Sequence, residues 1–118
     1  MYSVLRISAK SKDEQVKLSK ALETLAAPDE DIFDSDGEGA LDMSSKSNFL
    51  EHFGEVYTQL QIVIGFIGEN AKNVCEELDV AIEEFDYLDR NMVSWTYPSS
   101  LIKLCAMYEI QITTSIYP

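Results

Sequence analysis

The chain has 118 residues, 46% hydrophobic and 25% charged, and its 21 Asp and Glu against 9 Lys and Arg leave a net charge of −12. That length fits one domain around one core, and that hydrophobic content belongs to a globular protein rather than a disordered tail. The charge opposes contact with nucleic-acid phosphates and anionic lipid, excluding direct nucleic-acid binding as an expectation, and it draws basic partners over long range. It is concentrated in the middle: residues 28 to 91 carry seventeen negative and three positive side chains, whereas residues 1 to 27 carry three and five.

Tyr2 to Ala9 (YSVLRISA) predicts a strand near the middle of a sheet, with apolar residues on both alternating faces. Ser11 and Glu14 stand at the spacing of a capping box, so a helix follows, with Leu18, Leu22 and Leu25 as its buried stripe and Pro28 as its stop. An acidic loop, DEDIFDSDGEG, then leads through GALDMSSKS, read as a loop with a short strand, into a helical turn at FLEHFGEV. YTQLQIVIGFIG predicts a central strand with Leu60, Ile62, Ile64 and Phe66 on one face and Val63 and Ile67 on the other.

The segment over 69–88 predicts a second helix, because Ala71, Val74, Cys75, Leu78, Ile82 and Phe85 recur at helical spacing. VSWTY reads as a short strand, Pro98 and Ser99 open a third helix with Leu101, Leu104, Cys105 and Tyr108 inward, and IQITTSIYP closes as a strand. This order defines an α+β fold with helices on a mixed sheet, and ferredoxin-like is the nearest simple topology.

MYSVLRISAK lacks the basic start, apolar run and small-residue cleavage site of a secretory leader, and no segment approaches the roughly 18 apolar residues of a membrane span. The expectation is a cytoplasmic protein. Cys75 and Cys105 form no CxxC pair and read as buried reduced thiols.

Catalysis and cofactors find little support. Placing Gly37 at position 6 of an EF-hand loop puts Asp34 and Asp36 at ligand positions 3 and 5, but leaves Ile32 at position 1 and Met43 at position 12, so both anchors are missing. His52 is the single histidine, which rules out a His-rich metal site, and no GxSxG, HExxH, phosphate-binding or dinucleotide-binding signature is present. The expectation is a non-enzyme with no cofactor and no metal.

The acidic residues carry the more informative pattern. On a helix over 69–88, Glu69, Glu76, Asp79, Glu83 and Asp86 would line one flank of the exposed side and Glu77 and Glu84 the other, with Val80 and Tyr87 between. Lys72 is the only cation there, so repulsion goes uncompensated unless a basic partner supplies the opposite charge. A solvated acidic face with an incidental tyrosine is the bland alternative.

In its whole-chain profile, acidic across DEDIFDSDGEG and EELDVAIEEFDYLD and ending in PSSLIKLCAMYEIQITTSIYP, the chain resembles the small acidic immunity proteins of contact-dependent growth inhibition and other polymorphic-toxin systems. The resemblance implies a stoichiometric inhibitor of a cognate bacterial toxin, often a basic nuclease domain, docking through Asp34, Asp36 and Glu38 in the loop and Glu76, Asp79, Glu83, Glu84 and Tyr87 on the helix. A DNA-mimic or anti-restriction inhibitor is the alternative, followed by a small metal-binding or accessory protein.

Overall fold

β1 (Tyr2–Ser8) lies between two antiparallel neighbours, β2 (Glu38–Ser44) and β3 (Cys75–Glu83), and β3 pairs in parallel with β4 (Gln111–Tyr117). The sheet order is thus β2-β1-β3-β4. Between the strands come α1 (Lys12–Ala21), α2 (Phe49–Ile67), a 3-10 turn at Gly68–Asn70 that runs into the single turn α3 (Ala71–Val74), and α4 (Ser99–Met107). This computed structural model describes residues 1–25, 31–83 and 95–117. The architecture is the expected α+β one, three helices on a four-stranded mixed sheet in an arrangement of the ferredoxin-like type.

α1 begins as the sequence predicts. The Ser11 hydroxyl accepts the Glu14 N–H at 3.1 Å, while the Glu14 carboxylate reaches back to the Lys10 N–H at 3.2 Å, so two otherwise orphaned donors are satisfied. Leu18 and Leu22 are buried and Leu25 is partly so. The helix stops at Ala21, well before Pro28, which lies outside the described residues.

Two segments exchange the roles that their sequences suggest. YTQLQIVIGFIG is no central strand but the second half of α2, a helix of 19 residues capped by the Asn48 side chain on the Glu51 N–H. Starting at Phe49, the apolar positions Phe49, Phe53, Val56, Leu60, Val63, Ile64 and Ile67 follow the helical period throughout. All of them meet the core, whereas Ile62 and Phe66, expected on the same face as Leu60 and Ile64, are exposed.

Of the predicted 69–88 helix, residues 84 to 88 lie outside the described residues; the described part forms turns before Cys75 and from there to Glu83 the strand β3. Leu78, Val80 and Ile82 alternate into the core and are fully buried, and the β-branched run of Val80 and Ile82 suits a pleated surface. Val80 is therefore a core residue, where the helical reading had it on the exposed side. Helix and strand spacings coexist in this stretch, and pairing with β1 on one side and β4 on the other decides between them. Of the expected strand VSWTY, residues 93 and 94 lie outside the described residues and Trp95–Tyr97 form no strand. Trp95 instead stacks on Phe49 at 5.8 Å, and Tyr97 packs on Phe53 at 4.9 Å.

The core lies between the helices and one face of the sheet. Leu5 and Ile7 of β1, Leu41 of β2 and Leu78, Val80 and Ile82 of β3 meet Leu18 and Leu22 on the α1 side, Phe53, Val56, Leu60 and Val63 of α2, and Leu101 and Cys105 of α4.

Candidate functional site: the acidic open face of the sheet

Because side chains alternate along a strand, burying Leu5, Leu41 and Leu78 turns their neighbours to the other face. The register places Glu38, Ala40 and Asp42 of β2 opposite Ser8, Arg6 and Val4 of β1. Glu77, Asp79 and Ala81 of β3 stand across from Arg6, Val4 and Tyr2. Beyond β3 come Gln111, Thr113, Ser115 and Tyr117 of β4, the last opposite Glu83. All the described helices contribute to the core on the other side, so this face carries the carboxylates of Glu38, Asp42, Glu77, Asp79 and Glu83, with the Arg6 guanidinium between Ala40 and Glu77.

Arg6 answers only part of this charge. Its Nη2 donates to Asp79 Oδ2 at 3.1 Å, and the Arg6 side chain remains half exposed. Asp79 is more enclosed, 19% exposed, and its second oxygen, Oδ1, is buried with no hydrogen-bond partner. A buried acceptor left unmatched carries a cost of about 1 to 3 kcal/mol, so the centre of the face gives up some stability at Asp79.

The acidic loop borders the same face at the Ser8 end of β1. Arg6, Asp34, Ser35, Glu38 and Ala40 line one shallow hollow there. The turn itself is firmly built: Asp34 Oδ1 accepts the N–H groups of Asp36 and Glu38 at 2.8 and 3.0 Å, and the Asp34 N–H donates to the Glu38 carbonyl at 2.8 Å. Gly37 sits at φ +80, where a Cβ would lie 2.4 Å from the Ala9 carbonyl oxygen, so only glycine fits. Asp34 thus spends one carboxylate oxygen holding the turn, as an Asx turn does. Asp36 is exposed at its tip, and Glu38 opens β2.

Of the other expected contact residues, Asp79 and Glu83 join the open face, but as alternate residues of a strand. Glu76 is exposed at the register shift where Arg6 pairs with Glu77 and Ile7 with Cys75. Glu84 and Tyr87 lie outside the described residues. Asp42 and Arg6 belong to this surface although helical spacing does not point to them, and Glu77 lies on the same face as Asp79 rather than on a separate flank. The signal was the two-residue period of acids in Glu38-x-Ala40-x-Asp42 and Glu77-x-Asp79-x-Ala81-x-Glu83.

The remaining reactive side chains are enclosed. His52 is fully buried, its Nδ1 2.9 Å from the Lys46 carbonyl and its Nε2 2.6 Å from Ser3 Oγ. A carbonyl only accepts, so Nδ1 carries the proton, and in the neutral ring Ser3 donates to Nε2. Both nitrogens are therefore committed to tying α2 to β1 and to the loop before it. Burial, reinforced by the nearby Cys105, pushes the Cys75 thiol up to about 12, and burial pushes Cys105 to about 11, which keeps both protonated and poorly nucleophilic at neutral pH.

Among the described residues no helix is long and apolar enough to cross a membrane, and no group of three or more His, Cys, Asp or Glu side chains is placed to hold a metal ion. Comparison with protein-family models, with curated proteins and with solved structures gives no match.

Proposed function

We propose that this chain is a non-catalytic, cytoplasmic inhibitor that binds a basic protein domain through the open face of its sheet, in the manner of an immunity protein neutralising a cognate toxin. The observation that carries the reading is the placement of Glu38, Asp42, Glu77, Asp79 and Glu83 on one face of the sheet, where Arg6 is the one cation among the described strand residues. A cationic groove that holds phosphate would find there a competing set of anionic groups, and long-range attraction would speed the encounter.

In this arrangement Asp36 and Glu38 steer from the rim, the β3 carboxylates anchor at the centre, and Tyr2, 42% exposed and across from Ala81, adds an aromatic contact at the far end. The test is co-purification with the product of the adjoining upstream gene, followed by protection from that partner's toxicity. Binding should disappear when Asp42 and Glu77 are both changed to Lys. A complex indifferent to that double change would remove the open face from the interface.

A further inference from the structure

The two edges of the sheet are protected very differently. β2 carries Glu38 and Asp42, and its start is covered by the Asp34 turn, with Phe33 bridged to Gly39. Charged side chains and a folded-over turn are the usual devices that keep an edge from pairing with another chain. β4 has neither: Gln111–Tyr117 (QITTSIY) contains no charge and no proline, and it is largely exposed, with Ile116 at 58%. Among the described strands its outer edge has no neighbour.

We infer that β4 pairs antiparallel with β4 of a second copy, joining two four-stranded sheets into one of eight strands. The occupant follows from the charge and the order of side chains. In a chain of net charge −12, self-association is opposed wherever carboxylates meet, and of the two edge strands β4 is the one without any. The register that overlaps all seven residues sets Thr114 against its own copy, Ile112 against Ile116 and Thr113 against Ser115, while Gln111 meets Tyr117. Each pair matches in polarity, which is the self-complementarity a twofold interface needs. The twofold axis would run along the sheet normal, so both acidic faces would point the same way and form one larger surface.

A pairing of seven residues buries less than the roughly 1,600 Å² of a standard interface, so the dimer should depend on concentration. Salt separates it from the proposed partner complex: screening should strengthen association of two acidic copies and weaken docking onto a basic domain. The experiment is sedimentation velocity on the full chain, without any partner, over a dilution series at low and high salt. The expected result is a shift from the 13.3 kDa chain toward twice that mass with rising concentration, more complete at high salt.

Changing Thr113 and Ser115 together to Glu should leave only monomer, changing both to Lys should do the same, and mixing the two variants should restore the dimer. A wild-type chain monomeric at every concentration and salt, or a dimer that persists in either folded double variant, would overturn the inference. Because the wild-type series needs no substitution, a variant that fails to fold does not shield the proposal.

Discussion

The two faces of the sheet are made by the same strands and differ in what they do. Toward the helices, Leu5, Ile7, Leu78, Val80 and Ile82 are fully buried, and the polar groups found there are matched, as Ser3 and His52 are. Toward the open side, Glu38 and Asp42 of β2 and Glu77, Asp79 and Glu83 of β3 are spread along the two strands that flank β1, and Asp79 keeps a buried oxygen unmatched. Stability comes from the first face through apolar burial. The second gives up a little of that stability through like-charge repulsion along neighbouring strands, a cost that the basic partner proposed above would offset.

Substitutions on the two opposite faces of the sheet should break the comparison most sharply. Leu78→Asp places an unpaired charge in the core and should unfold the protein, and even Leu78→Ala should cost about 2 to 5 kcal/mol in denaturant melts. By contrast, changing Asp42 and Glu77 to Lys should alter stability by no more than about 0.5 kcal/mol, because both lie on the open face. A soluble, cooperative Leu78→Asp protein would refute the assignment of the faces.

Next in size is the response to alkali. Cys75 and Cys105 have folded-state values raised to about 12 and 11 from 9.0, so their contribution is complete below pH 9 and is lost as pH rises through that window. Each thiol should remove about 1.4 kcal/mol per pH unit there, since the unfolded chain ionises first. Thermal melts between pH 8 and about 11 would show the slope, and a Cys75→Ala, Cys105→Ala protein should lose most of it.

A smaller effect is expected at the buried contact between Ser3 and His52. Ser3→Ala leaves His52 Nε2 without the Ser3 donor and should cost about 1 to 3 kcal/mol. Ser3→Thr, which keeps the hydroxyl, should recover part of the loss; equal stability of Ala and wild type would mean that this contact contributes nothing.

The sequence made some of this architecture plain and concealed the rest for physical reasons. β1, α1, α4 and β4 are short elements with unambiguous signals: a capping pair at Ser11 and Glu14, Pro98 before the helix at Ser99, and Thr and Ile in the last strand. α2 was obscured because its β-branched second half, read from Tyr57 onward, resembles a strand, and the period of 3.6 emerges only when Phe49, Phe53 and Val56 are included. In β3 the helical spacing of Ala71, Val74, Cys75, Leu78 and Ile82 is continuous across a helix-to-strand junction at Cys75, and nothing local marks that junction. The acidic character of Asp34, Asp36, Glu38, Asp79 and Glu83 was legible from composition; that Glu38, Asp42, Glu77, Asp79 and Glu83 share one face was not, since it depends on which strands become neighbours.

The most direct test of the account is calorimetric titration of the chain with the product of its adjoining upstream gene, at low and high salt, alongside the Asp42→Lys, Glu77→Lys protein. The expected result is a one-to-one complex with the wild-type chain that weakens as salt rises and is lost in the double variant. An undiminished complex with the double variant, or no complex at any salt, would contradict it.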